Sequence, residues 1–264
     1  MHHILKLCLV VLLALPAFSQ RPNQPRAKPQ VDSTVGIGNG IITHVADGGG
    51  WTTSITLINL SETKAAAFTL NFYGDNGNPQ PFSFQGTGKA STLTGTLVVG
   101  GSLVIKTTGA GAATQGWAQF DYLSTTDSVG GFAVFTNSNG NEAAVPFETD
   151  LSENSILSFD NTNGYGMGIA LANSDFSTVT INATFRDGNG AILGTDRIAM
   201  ASMTHTSFVF AQQWPFTAGR QGTVYFQCSD AYGPNAFGLA ILGLRFTPQG
   251  AFTSVTSFQQ WTVD

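Results

Sequence analysis

The chain has 264 residues, a formal net charge of -5 and only 10% charged side chains. Past residue 34 it carries seven basic and fifteen acidic side chains, which excludes the basic stripe that nucleic acid requires. Of its two cysteines, Cys8 falls in a segment expected to be removed, so Cys228 has no internal disulfide partner and the fold must stand on its apolar core.

The first residues read as an export address. His2, His3 and Lys6 precede an apolar run from Leu7 to Leu15, too short for the ~20 residues that span a bilayer. Pro16 breaks the run, and Ala17-Phe18-Ser19 presents small residues at a peptidase site, so residues 1–19 are expected to be a signal peptide cleaved after Ser19. Nothing later is long and apolar enough for a transmembrane span, and by its signal peptide the protein is expected to be secreted, periplasmic or extracellular. Residues 20–34, with Arg21, Pro22, Pro25, Arg26, Lys28 and Pro29, lack apolar periodicity and read as a disordered tether.

The first β-module is expected over 35–150. A strand at Gly40 to Val45 leads through Asp47-Gly48-Gly49-Gly50, a turn that needs glycine conformations, into Trp51 to Asn59. There Trp51, Thr53, Ile55 and Leu57 share one face, and Thr52, Ser54 and Thr56 share the other. Phe68, Leu70 and Phe72 line a face of the next strand, and Asp75-Asn76-Gly77-Asn78 is a hairpin signal. Further strands are expected at Thr96 to Val99, Ser102 to Thr107, Gly116 to Tyr122, Val129 to Phe135 and Ala143 to Phe147.

A second module, 151–264, repeats the order. Trp51 falls on Tyr165, Asn59 on Asn173 and Val45 on Phe159 at a common spacing, and Phe72 falls on Phe185 after a one-residue deletion. Gln115-Gly116 recurs as Gln221-Gly222, and Gly131-Phe132 is matched to Gly243-Leu244. The expected fold is all-β: two tandem immunoglobulin-like β-sandwich modules related by duplication, after a signal peptide and a disordered tether. A single larger sandwich is the alternative. Phe210 to Trp214, stopped by Pro215, reads as one short helical turn. The second motif strand carries Gly166, Gly168, Ala170 and Ala172 where the first has Thr52, Ser54, Thr56 and Ile58; such small side chains allow a covering segment or the other module to approach closely.

The inventory for chemistry is poor. Two histidines follow the leader, His44 and His205, at unmatched positions and without a nucleophile elbow. No metal-ligand spacing occurs. Ser61-Glu62-Thr63-Lys64 fits Ser-x-x-Lys but sits between strands and reads as a turn. Asp75 to Asn78 and Asp187 to Gly190 could offer oxygens to Ca²⁺, yet lack the closing Glu of a calcium loop and read as hairpins. Glu62, Glu142, Glu148 and Glu153 fall in turns or between the modules, and Asp pairs for an acidic site stay open. Trp51 and Tyr165 share faces with apolar residues and read as core. Trp214 and Trp261 fall outside clear alternation and are expected to be exposed; with Trp117 they are the candidate binding residues. No catalytic residue, metal site or cofactor is expected.

Gly48 to Asn59, the Phe72-Tyr73-Gly74-Asp75-Asn76-Gly77 hairpin, and Leu242-Gly243-Leu244-Arg245-Phe246 with Ala251-Phe252-Thr253-Ser254 resemble a tandem β-sandwich repeat of uncharacterised secreted proteins from soil bacteria. The resemblance spans most of residues 40–258 and implies export and fold, with no catalytic residues to carry over. The expected function is an exported, non-catalytic cell-surface or extracellular protein of binding, adhesion or structure, with a polysaccharide or an envelope or matrix protein as partner. The alternatives are a carbohydrate-binding protein using exposed aromatics and a hydrolase with an acidic site.

Overall fold

Strand-period alternation builds the chain, and turns rich in Gly and Asn divide it. A computed structural model describes residues 38–122, 129–149, 151, 153–228 and 239–259. The expected signal peptide and tether, and Trp261, lie outside the described residues. The fold is all-β, with 65% strand and 3% helix. Its first half runs β1 (Gly38–Asp47), β2 (Trp51–Asn59), β3 (Ala66–Gly74), β4 (Phe82–Phe84), β5 (Gly88–Ala90), β6 (Thr92–Leu97), β7 (Ser102–Lys106), β8 (Thr114–Tyr122), β9 (Val129–Asn137) and β10 (Glu142–Glu148). The second runs β11 (Asn154–Asp160), β12 (Gly166–Asn173), β13 (Val179–Asp187), β14 (Ile192–Met200), β15 (His205–Val209), α1 (Phe210–Gln213), β16 (Gln221–Cys228), β17 (Leu239–Phe246), β18 (Phe252–Val255) and β19 (Phe258–Gln259).

In the first half one antiparallel sheet, β6-β3-β8-β1-β10-β9-β2-β7, folds over on itself. The corner is β10, which pairs with β9 through Pro146 and then with β1 through Phe147 and Glu148. Both arms send residues into one core: Ile42, Phe68, Leu70, Phe72 and Phe120 from one, Ile55, Leu57, Ala133, Phe135 and Val145 from the other. The second half has sheets β14-β13-β16-β11-β19 and β15-β12-β17-β18, around a core that includes Leu157, Phe159, Leu171, Ile181, Phe185, Trp214 and Phe226. The strand order is the same in both halves, and the β18–β19 pair changes sheets as β10 does. This is a sandwich arrangement throughout.

Local details repeat too. The side-chain amide of Asn59 donates to the carbonyls of Lys64, Leu97 and Val98, while Ser61 N–H donates to its oxygen. Asn173 does the same with Ser177, Met200, Ala201 and Asp175. Each Asn satisfies carbonyls that a strand end would otherwise leave buried and unpaired. Gly116 and Gly222 are forced by packing: a Cβ would lie 2.0 Å from the Tyr73 carbonyl oxygen in one case and 1.8 Å from that of Arg186 in the other.

Three expectations need correction. Leu57 pairs with Gly131 while Leu171 pairs with Ile241, so Gly131 corresponds in register to Ile241 and not to Gly243. A slip of two residues keeps inward and outward faces, so alternation cannot detect it. The strand expected at Thr96 to Val99 ends at Leu97, because Val98 and Val99 belong to the turn held by Asn59 and are exposed. The hairpin β4–β5 was not expected; its strands have three residues each, too short for periodicity.

The small-residue face of β12 is covered. All described residues fall within one compact unit, 34–264, and β12 is buried from Met167 to Asn173, whereas β2 alternates. Ala172 and Ala240 pack with Ile41, Trp117 and Met203, while Ala170, Leu242 and Phe252 join the first half's core. Trp117 is fully buried, stacks on Tyr73 with centroids 4.9 Å apart, and donates its indole N–H to the Met203 carbonyl at 2.9 Å. Gly77 lies against the same turn, 2.8 Å from Ser202 O for an added Cβ. Replacing Ala172 by Leu is expected to overpack this seam and cost about 1–3 kcal/mol in urea denaturation. Thr56→Leu, on the matching but half-exposed face of β2, is expected to stay within about 0.5 kcal/mol; equal effects would contradict the covered-face account.

Candidate functional site

The seam between the halves holds a chain of polar groups that begins at a backbone irregularity. Ile42 pairs with Ala118 and Val45 with Gly116, so Thr43 and His44 both stand opposite Trp117. The second half has no such insertion: Leu157, Ser158 and Phe159 pair one to one with Val224, Thr223 and Gly222. A bulge of this kind re-aims a side chain, and here it delivers His44 to the seam. Thr43 is fully buried with no partner for its hydroxyl among the described residues, a local cost of about 1–3 kcal/mol that the fold tolerates at this point.

His44 Nδ1 lies 3.2 Å from His205 Nε2, and His205 Nδ1 lies 2.7 Å from Asp75 Oδ1. Asp75 Oδ2 accepts from Gln115 Nε2 at 2.9 Å, and Gln115 Oε1 accepts from Ser207 Oγ at 3.1 Å. His205 has no exposed side-chain surface, whereas half of the Asp75 side chain is in solvent. The sequence separations are 161 and 130 residues, so the chain assembles only when the halves dock.

The proton positions follow when both rings are neutral. A carboxylate at Asp75 requires an N–H at His205 Nδ1. With one proton on each ring, His205 Nε2 accepts from His44 Nδ1–H, and His44 Nε2 is left as a lone pair. That nitrogen has no hydrogen-bond partner among the described residues. Burial first, and His205 second, push the His44 pKa down to about 3, against a smaller pull from Asp75. Burial pushes the Asp75 carboxyl up, but hydrogen bonds from His205 and Gln115 and the two nearby imidazoles outweigh it, and the net direction is down.

His44, Gln115 and Ser207 line a cleft of about 650 Å³ between the halves, with Trp51, Phe135 and Phe246 among its walls. Among the described residues, no Asp, Glu, Lys or Arg lines it. The volume is in the range of small-molecule sites. Trp51 is half-buried, packs against Phe135 and Phe252 at 5.8 and 5.7 Å, and contributes to both core and cleft.

The tryptophans singled out by sequence fare differently. Trp214 is buried and not exposed as expected. It plugs one end of the second sandwich against Phe185, Phe208 and Phe210, with its indole N–H on Asp196 Oδ2 at 2.7 Å. The helical turn Phe210–Gln213, expected from the sequence, tucks Phe210 and Trp214 into the core in place of alternation. Trp117 is buried in the seam, so neither ring is open to solvent as a platform. Trp261 lies outside the described residues. The structure places Trp117 and Trp214 in different clusters.

Ser61 Oγ accepts from the backbone of Thr63 and Lys64, and Asp187 Oδ1 accepts from Asn189 and Ala191, which makes both segments ordinary turns. No group of three metal-ligating side chains occurs among the described residues. The residues that sequence reasoning missed are a set: His44 and His205 as partners, with Asp75. One signal was available, since the residue that displays His44 is an insertion relative to the second half. The sequence matches no protein-family model, and comparison with curated proteins returns no match.

Outside the cleft, Glu148 at the β10 corner has its carboxyl pushed up to about 8 by burial, against the pull of the Ile241 backbone N–H. Two pH effects follow. The folded His44 pKa lies below its ordinary 6.5, so its contribution is intact above pH 6.5 and is lost as pH falls toward 3, by roughly 3–5 kcal/mol in all. Denaturation of His44→Phe is expected to show a flatter pH dependence between 6.5 and 3. Glu148 runs the other way: its folded pKa lies above its ordinary 4.5, so stability is lost as pH rises from 4.5 through 8. Glu148→Gln is expected to raise the melting temperature at pH 9 and leave it nearly unchanged at pH 4.5. A rise of equal size at both pH values would contradict this.

Proposed function

We propose that the protein is an exported, non-catalytic binding protein in which two sandwich modules, related by duplication and locked together, hold a ligand in the cleft at their seam. The observation that carries this reading is the chemistry of that cleft. It has aromatic walls, hydrogen-bonding groups and no charged side chain, and its one imidazole has a pKa of about 3. A general base works best with a pKa near the operating pH; His44 is far from that and suits acceptance of a hydrogen bond. Among the described residues no carboxylate lines the cleft, which weighs against a pair of acids acting there. Export rests on the apolar run and small-residue site of 1–19, and the duplication on the common strand order and the paired Asn59 and Asn173 networks. The tether of 20–34 would leave the modules free to reach a polysaccharide or an envelope or matrix component.

Residues 20–264 incubated with insoluble polysaccharides and isolated envelopes are expected to be retained on one of them. Retention is expected to fall at least tenfold in Thr114→Trp, which places a large ring at the mouth of the cleft, lined in part by Thr114. Retention that ignores this substitution would move the binding surface elsewhere. Release of soluble fragments from the retained material would sink the non-catalytic reading.

A further inference from the structure

The cleft's polar groups have a direction. Gln115 has both ends of its amide engaged, the NH₂ on Asp75 and the oxygen on Ser207. Ser207 spends its only proton on that oxygen. With both rings neutral, His44 spends its Nδ1 proton on His205, whose own Nδ1 proton goes to the Asp75 carboxylate. What remains for an occupant at the buried end of this chain is lone pairs, at His44 Nε2 and at Ser207 Oγ, while the Gln212 amide, which also lines the cleft, can donate or accept. The flat walls, Trp51, Phe135 and Phe246, suit the face of a ring. An ion would enter without a counter-charge and lose its hydration, which disfavours charged occupants strongly.

We propose that the cleft binds an uncharged ring compound that donates hydrogen bonds, with His44 Nε2 as the principal acceptor and Asp75, through His205, as the positioning residue that keeps this nitrogen unprotonated. This rests on the cleft being the binding site. The chemistry is shared by phenols and by the hydroxyl-bearing rings of saccharides. His44, Asp75 and His205 are each particular to their half. The bulge that carries His44 has no second copy, the residue in the place of Asp75 is Gly188, and the residue in the place of His205 is Ser102, by the pairing of the flanking strands and turns.

The test uses residues 20–264 and four probes: phenol, methyl β-D-glucopyranoside, toluene and benzoate. Binding is followed by titration with the indole N–H resonance of Trp51 as reporter. Phenol or the glucoside is expected to bind at least tenfold more tightly than toluene, and benzoate more weakly than either; which of the two binds identifies the source. His44→Phe is expected to bring the favoured probe down to the affinity of toluene. Should that variant fail to fold, Asp75→Asn, at a half-exposed position, is expected to weaken the favoured probe several-fold and leave toluene unchanged. Toluene or benzoate binding as tightly as the hydroxyl probes overturns the proposal and leaves the cleft as a binding site. If no probe shifts Trp51, the proposal falls, and sensitivity of polysaccharide or envelope retention to Thr114→Trp then decides whether the cleft reading survives.

Discussion

The rest of the structure depends on one buried contact, Trp117 beneath the Met203 turn. It places a large ring from one half against Ala172 and Ala240 of the other, and ties it with a hydrogen bond to the Met203 carbonyl. Met203 has φ 60, a left-handed conformation that side chains avoid, and the residue at the same place in the first half is Gly100, with φ 63. The strain of about 1–2 kcal/mol is offset by what a side chain does there: Met203 is buried against Trp117 and Tyr73, whereas Gly100 caps an exposed turn. The hairpin carrying Asp75 and Gly77 leans on the same turn, so the docking that buries Trp117 also brings Asp75 to His205.

That contact uses each half differently. On the outward side of the first half, Tyr73 pairs with Trp117; at the same places in the second half, Arg186 pairs with Thr223, and both are exposed. The Gly and Ala face of β12 is matched in the first half by Ser54, Thr56 and Ile58, which are bulkier or polar. Each surface that could repeat the docking is therefore unsuited to it. This is the logic of terminal repeats in stacked architectures, whose outer faces are polar so that stacking stops. It accounts for two halves that share turns, caps and strand order yet differ where they touch.

Much of the fold was legible in the sequence because it depends on neighbours. Alternation placed the strands from Trp51 and Phe68, Asn-Gly and Asp-Gly marked hairpins, and Asn59 and Asn173 stood out as strand-end residues. The stripe of small residues on β12 fitted a covering segment and a thin solvent-facing strand equally well. What could not be read depends on residues far apart: Trp117 and Met203 are 86 positions distant, His44 and His205 161. Trp214 looked exposed because it leaves the alternating pattern, but a short helical turn buries side chains on a different period. The same limit hid the site. Two isolated histidines carry no motif, and only the bulge, together with the docking of the halves, makes them a pair.

Burial keeps the His44 imidazole neutral, and its hydrogen bonds give it a direction. Placed alone in an apolar seam, His44 could rotate or exchange tautomers, and either nitrogen could face the cleft. With both rings neutral and the His205 Nδ1–H on the Asp75 carboxylate, the His44 Nδ1–H donates to His205 and its Nε2 carries the lone pair. The half-exposed carboxylate is therefore the anchor of a chain whose other end faces the cleft, and solvent carries most of the cost of its charge. Catalytic triads use the same order of groups to raise the basicity of the last member. Here the last member is itself buried beside a second imidazole, and its basicity falls. What the arrangement yields is a fixed lone pair in an uncharged wall, which is a feature of recognition and not of proton transfer.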